Sequence, residues 1–195
     1  MRVVVTREDV AERVAALGHD VLLCPLIRIE PLGDEPVDAS AYDWLVVTSG
    51  SGAHELGRRG VTANRIAAIG PATAAALREH GLEPDLVAPV HSQEGLRDAL
   101  PAGTLLLAAA EGARRDVLDA DFLPLYRTVE LPSSVRGDVA LLMSGSAARA
   151  LRTRMPVIAI GPQTAEDARR AGHDVVAVAR THDVDGLVEA LASLP

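Results

Sequence analysis

The chain has 195 residues, of which 48% are hydrophobic, 24% charged and only 2% aromatic, and its net charge is −8. Such a composition is that of a globular protein whose cores are built from Val, Leu, Ile and Ala, and the acidic balance excludes general nucleic-acid binding, which needs a basic surface. One cysteine, Cys24, rules out disulfides within the chain and a cysteine metal cluster, and no apolar run reaches the ~18 residues of a membrane span.

Residues 2–6 read as an apolar strand. Residues 8–17 read as a helix, with Val10, Val14 and Leu17 at helical spacing and Gly18 at its end. Residues 21–23 form a second strand and 25–30 continue extended. Residues 31–36 then carry two Pro, one Gly and two acids, a linker composition. The next buried strand, 44–48, ends in Ser49-Gly50-Ser51-Gly52, with a helix from about residue 53. Residues 66–69 are a short strand. Gly70 turns the chain, and Pro71 suits a first helical position, where its missing N–H is not needed. A helix over 72–80 follows, stopped by Gly81. Beyond it lie a strand at 85–88, a helix at 93–100, a strand at 104–109, a helix at 113–119, an extended stretch at 122–131 and a second linker at 132–137.

The rest of the chain repeats what came before. Gly161-Pro162-Gln163-Thr164 stands 91 residues after Gly70-Pro71-Ala72-Thr73, and Gly172, Gly186-Leu187 and Leu191 keep the same offset from Gly81, Gly95-Leu96 and Leu100. Ser144-Gly145-Ser146 repeats Ser49-Gly50-Ser51 at an offset of 95, and Pro124 to Arg127 matches Pro25 to Arg28 at 99. The drift fits small loop deletions between two copies of one unit, each a small domain rather than a solenoid repeat.

Strands alternating with helices imply parallel sheets covered on both faces. Linkers at about 31–36 and 129–137 predict a discontinuous α/β domain of residues 1–33 with 134–195, and an inserted α/β domain of residues 37–128. Two extended connections join them and leave a cleft between. Ligands of such folds sit beyond the carboxyl ends of the strands, where Thr6-Arg7, Thr48-Ser49, Gly70-Pro71, Ser144 and Gly161-Pro162 fall.

No metal set is visible. The six histidines (19, 54, 80, 91, 173 and 182) lie apart, and those beside helix-ending glycines read as solvated turn residues. There is no Gly-x-Ser-x-Gly elbow, no phosphate loop and no dinucleotide fingerprint. What remains is a set of hydroxyls and helix starts at strand ends: Thr6, Thr48, Ser49, Ser51, Thr73, Ser144, Ser146 and Thr164. Taken singly, each is an ordinary N-cap, stabilising by about 1 kcal/mol. Taken as two copies, they suit anion binding by backbone N–H groups and hydroxyls. By the same weighing Arg7 is a surface ion pair, and Tyr126 a packed strand residue with a wet hydroxyl.

The order of Val-Val-Val-Thr-Arg (3–7), Cys-Pro-Leu-Ile (24–27), Leu-Val-Val-Thr-Ser (45–49), Ala-Ile-Gly-Pro-Ala-Thr (68–73), Leu-Tyr-Arg-Thr (125–128), Met-Ser-Gly-Ser (143–146) and Ala-Ile-Gly-Pro-Gln-Thr (159–164) resembles the uroporphyrinogen-III synthase family. The resemblance covers nearly the whole chain. It implies two flavodoxin-like domains, the first discontinuous. It also implies cyclisation of the linear tetrapyrrole hydroxymethylbilane to uroporphyrinogen III, with inversion of the last pyrrole and loss of water, using no metal or cofactor. Tyr126 is then the candidate catalytic acid. Arg7, Ser49, Ser51, Thr73, Ser144, Ser146, Gln163 and Thr164 are the candidate substrate-binding residues. The expected protein is a cytoplasmic monomer without membrane or nucleic-acid contact, meeting hydroxymethylbilane synthase transiently. Two positions depart from the family pattern: Glu8 stands where a Pro is usual after Thr-Arg, and Ser51 where Asn is usual. A paralogue acting on another substrate and a two-domain anion-binding module without catalysis are the alternatives.

Overall fold

The structure, a computed structural model, describes residues 1–194. The chain divides into two compact units, Met1–Arg28 with Val129–Pro195, and Ile29–Thr128.

The chain starts in the first unit with β1 (Arg2–Val5), α1 (Glu8–Ala16) and β2 (Asp20–Leu23). It enters the second unit within β3 (Ile27–Pro31) and continues with β4 (Val37–Ala39), β5 (Trp44–Val47), α2 (Gly50–Arg59), β6 (Val61–Ala63), β7 (Ile66–Ala68) and α3 (Pro71–Glu79). That unit continues through β8 (Leu86–Val87), α4 (Gln93–Ala99) and β9 (Leu105–Ala110), and ends within β10 (Asp121–Glu130). The return to the first unit supplies β11 (Val139–Leu142), α5 (Gly145–Ala150), β12 (Pro156–Ala159), α6 (Pro162–Arg170), β13 (Asp174–Val178) and α7 (Val184–Ala192).

In the first unit the sheet order is β13-β12-β11-β1-β2, with every pairing parallel. Its central strands are continuous apolar runs because both faces are covered. The pleat sends Val4, Ala140, Leu142 and Val157 to one face, against Ala147, Ala148 and Ala168 of α5 and α6. It sends Val3, Val5, Leu141 and Ile158 to the other, against Val10 and Val14 of α1 and Leu187 and Leu191 of α7. The chain order reverses direction between β1 and β11, so the loops carrying Arg7 and Ser144 flank the switch point where such sheets open a crevice.

The second unit has a six-stranded sheet in the order β3-β10-β9-β5-β7-β8 and a separate parallel pair, β4-β6. Leu45 and Val47 face Leu56 of α2 and Leu77 of α3, while Trp44 and Val46 face Leu96 of α4 and Leu118. Here the order reverses between β5 and β9, placing Ser49 at the switch point. β10 runs parallel to β9, and its register slips between Pro124, opposite Ala109, and Tyr126, opposite Ala110. Leu125 is the extra residue of this bulge, which sits where a proline already forfeits a ladder hydrogen bond. The consequence is that Leu125 and Tyr126, though consecutive, both join the cluster on the α2/α3 face. Strict alternation would have sent Tyr126 to the opposite face.

Several sequence expectations are corrected. Residues 113–119 form no helix. Gln93 of α4 donates to the Arg114 carbonyl at 3.2 Å, Arg114 also pairs with Glu94, and the Arg115 guanidinium lies 3.9 Å over the Phe122 ring. These contacts to neighbours outside the segment replace the local helical ones. Helix α2 starts at Gly50 rather than about residue 53, because Ser49 caps it and draws both glycines into the first turn. His173 is not solvated but 5% exposed, its Nε2 lying 3.0 Å from the Ala148 carbonyl. By contrast His80 is exposed in the turn after α3, as read from the sequence, and its Nε2 also lies 2.9 Å from the His54 Nδ1. Gly18, Gly81 and Gly172 end their helices with positive φ, as their positions predict.

Candidate functional site

At the start of α3 and of α6 the sequence Gly-Pro fixes the same geometry. Gly70 and Gly161 are extended, with φ of 179° and −170°, and Pro71 and Pro162 occupy the first helical turn. Each turn closes with one backbone bond of 3.0 Å, from Ala74 to the Gly70 carbonyl and from Ala165 to the Gly161 carbonyl. Neither helix start has a side-chain cap, whereas α2, α4, α5 and α7 are capped by Ser49, Ser92, Ser144 and Asp183. The leading N–H groups of α3 and α6 are therefore left to an outside acceptor. In the same turns Thr73 and Thr164 are buried to 4% and 7% exposure. Neither threonine hydroxyl has a hydrogen-bond partner among the described residues.

The glycine of each turn also makes room for a histidine. A β-carbon on Gly70 would lie 3.0 Å from the His91 ring, and one on Gly161 would lie 3.2 Å from the His182 ring. Both imidazoles are exposed. Along the chain they look like scattered histidines, yet they stand at the same 91-residue offset as the turns they cover. That offset is the one signal in the sequence that marks them. The backbone extension shows that these glycines serve close approach rather than a left-handed turn.

The other predicted residues divide into two groups. Ser49 and Tyr126 are brought together: the Ser49 Oγ lies 2.8 Å from the Tyr126 Oη and accepts the Gly52 N–H at 3.0 Å. Tyr126 is 6% exposed. Because β5 pairs with β7, this pair and the Gly70-Pro71 turn lie at neighbouring strand ends of one sheet. Three other candidates are already engaged locally. Arg7 turns back onto Asp9 through two hydrogen bonds of 2.9 and 2.6 Å. Ser144 caps α5, accepting from Ala147 at 3.2 Å, and Ser146 accepts from Arg149 at 3.0 Å. Helix α5 has only six residues, so its N-terminus offers little dipole. Ser51 is half-buried in the first turn of α2, and Gln163 is exposed beside Pro162.

A concavity of the second unit lined by Asp38, Tyr42, Arg59 and Asp121 contains none of the candidate residues. There the Tyr42 hydroxyl donates to Asp121 at 2.8 Å, which pushes the Tyr42 phenol above its ordinary range. Among the described residues no group of three or more His, Cys, Asp or Glu could hold a metal ion, and no helix is long and apolar enough to cross a membrane.

Comparison with known proteins gives this geometry its context. A uroporphyrinogen-III synthase from Helicobacter pylori 26695 superposes with a TM-score of 0.70 at 16% identity, covering all of both chains. A mutant uroporphyrinogen III synthase from the extreme thermophile Thermus thermophilus gives 0.66 at 20% identity, covering 98% of this chain and 97% of that one. These likenesses show a shared two-domain α/β fold. A protein of Methanocaldococcus jannaschii named "Putative uroporphyrinogen-III synthase" is 25% identical over 239 aligned positions, spanning all of this chain and 99% of that one. The family described as Uroporphyrinogen-III synthase HemD matches residues 8–189. The chain thus belongs to the uroporphyrinogen-III synthase family, enzymes of the cyclising lyase type in tetrapyrrole biosynthesis.

Proposed function

We propose that the chain converts hydroxymethylbilane to uroporphyrinogen III, with Tyr126 as general acid and the two Gly-Pro-x-Thr turns as carboxylate anchors. The observation that carries this reading is the pair of uncapped helix starts, each with a buried threonine whose hydroxyl lacks a partner. A protein charged −8 cannot attract a polycarboxylate globally. Local donors must hold it: the leading N–H groups of α3 and α6, the Thr73 and Thr164 hydroxyls, and Ser51 and Gln163 beside them. Arg7, Ser144 and Ser146 join them only by exchanging their present partners for substrate. Ser49, bonded to both Gly52 and Tyr126, is better placed to act on Tyr126 than on a carboxylate.

In this mechanism the Tyr126 phenol protonates the departing hydroxyl of the bilane. The C–O bond breaks, water leaves, and the pyrrole nitrogen's electrons complete an azafulvene cation. The terminal pyrrole attacks with its substituted carbon, forming a C–C bond and a spiro centre. That centre fragments and recloses at the free carbon, and the proton lost on rearomatisation restores the phenol. Holding the chain folded so that the substituted carbon meets the electrophile is the protein's principal contribution. The substrate cyclises unaided, so direct receipt from hydroxymethylbilane synthase by a cytoplasmic monomer completes the reading.

The test is incubation with enzymatically generated hydroxymethylbilane, oxidation, and separation of the type I and type III porphyrin isomers. The type III isomer is expected with the protein and type I without it. Type I alone in both would leave the anion-binding module as the better reading.

A further inference from the structure

The geometry points to Ser49 as a positioning residue that aims the Tyr126 proton and steadies the oxygen that gives it up, an inference that rests on Tyr126 being the general acid. Three atoms form a chain: the Gly52 N–H at the start of α2, the Ser49 Oγ 3.0 Å away, and the Tyr126 Oη a further 2.8 Å on. The Ser49 oxygen already accepts a proton donor from the helix. Its own single proton then has one partner of known position, the phenol oxygen. Hydrogen bonds that accept on one side and donate on the other strengthen each other, so Ser49 donating to Tyr126 is the favoured direction.

That direction matters chemically. If Tyr126 donated to Ser49, its proton would be occupied in the resting protein. With Ser49 as donor, the Tyr126 proton points outward and is available to the leaving hydroxyl. When it transfers, negative charge develops on the Oη. The Ser49 O–H bond to it then becomes charge-assisted, with the positive end of α2 behind it. The proton goes from Oη to the departing oxygen and returns from the closing macrocycle, while Ser49 keeps its own throughout. The β-bulge at Leu125 is what makes the contact possible, by turning Tyr126 to the α2 face. The other copy has no counterpart: Ser144 caps α5, but Ile27 stands at the position matching Tyr126.

The cap and the relay are separable by substitution. Ser49→Thr keeps an acceptor for Gly52 and a donor for Tyr126. Ser49→Asp keeps the acceptor but has no proton to give, and it accepts a hydrogen bond from the phenol instead, which occupies the proton that the reaction needs. Turnover of hydroxymethylbilane to the type III isomer is measured per folded molecule, with thermal midpoints recorded for each variant. Ser49→Thr should stay within about threefold of the wild type. Ser49→Asp should lose about tenfold in kcat with KM little changed, matching Tyr126→Phe, since acid assistance is worth at least that much. In a Tyr126→Phe background Ser49→Asp should cost nothing more. Should Ser49→Asp not fold, Ser49→Ala removes cap and donor together, and the relay is then read from whether its loss of kcat per folded molecule disappears in the Tyr126→Phe background. A full loss in the Tyr126→Phe background, or wild-type kcat in Ser49→Asp, would overturn the relay while leaving Tyr126 as the acid. Wild-type turnover by Tyr126→Phe itself would remove the reading on which the relay depends.

Discussion

The His80 imidazole occupies the space that a side chain on Gly57 would need. A β-carbon there would lie 2.1 Å from the His80 Cγ and 2.6 Å from its Cβ. Gly57 therefore stands mid-helix in α2, against its propensity, so that the residue capping the C-terminus of α3 can pass across it and join His80 to His54 at 2.9 Å.

Gly57→Ala should accordingly be destabilising, although alanine is the better helix former. Overpacking of this kind costs ~1–3 kcal/mol, against a propensity gain of up to ~1 kcal/mol. The sign should reverse in a His80→Gly background, where nothing fills the space and the alanine stabilises by ~0.5–1 kcal/mol. Urea unfolding of the four proteins measures it. A stabilising Gly57→Ala in the wild-type background would mean that the ring swings away freely.

Asp183 gives a pH-dependent counterpart. It caps α7 by accepting from the Gly186 N–H at 2.8 Å and from Thr181 at 2.9 Å, and these bonds hold its carboxyl below the ordinary range. A folded-state value below the unfolded one makes the charge stabilising at neutral pH. That contribution is lost as pH falls below about 4 and through the folded value. Asp183→Asn retains a cap acceptor without the charge. The wild type should exceed it by ~0.3–1 kcal/mol at pH 7, the worth of an exposed anion at a helix start. The two urea midpoints should approach each other as pH falls through that range. A constant gap across that range would assign the difference to packing.

Much of the frame was legible because it is local. Val3 to Val5 and Trp44 to Val47 are unbroken apolar runs, and both became central strands buried on two faces. The Gly-Pro turns announced themselves by recurring. What escaped was set by contacts between distant residues. Gly50 and Gly52 look like a loop until the Ser49 cap is placed, and residues 113–119 look helical until Gln93 and Glu94 of α4 claim Arg114. The three-residue strands β4 and β6 are too short to carry a pattern. At the site, the individual residues were nameable but the Ser49–Tyr126 contact was not. It depends on one extra residue in β10, which a period-two reading cannot foresee. His91 and His182 carry the offset of the repeat but no motif of their own, so only their packing on Gly70 and Gly161 singles them out.

Tyr126→Phe retains the ring in its cluster and removes the hydroxyl alone. A tyrosine phenol is ordinarily protonated at neutral pH and can donate without being tuned. General-acid assistance is worth ~10²–10⁴-fold, and a substrate that cyclises unaided places the loss toward the low end. Turnover should fall by at least about tenfold, with the type III isomer still dominating the enzymatic product, because folding of the bilane does not depend on the phenol. The variant should also lose the Ser49 bond, at about 1 kcal/mol of stability. Unchanged turnover with lowered stability would make Tyr126 a packing residue.

Thr73 and Thr164 test the anchors, and here valine is the informative replacement. It matches threonine in shape, so the buried niches at 4% and 7% exposure stay filled while the hydroxyl disappears. Since neither hydroxyl has a hydrogen-bond partner among the described residues, the free protein loses no bond by the change. Thermal stability should therefore change little, since the hydroxyl oxygens are not themselves buried and still reach solvent. In the presence of substrate the change is felt. A carboxylate at the start of α3 or α6 would lose a charge-assisted partner, worth ~1.5–3 kcal/mol, or roughly tenfold to a hundredfold in apparent affinity. The two single variants should weaken binding by similar amounts, and the double variant by about their sum, because the turns belong to separate compact units. Isothermal titration with uroporphyrinogen III under anaerobic conditions, alongside thermal unfolding, reads both quantities. Lowered stability with undiminished affinity would return both threonines to the helix cores and leave the backbone N–H groups as the only anchors.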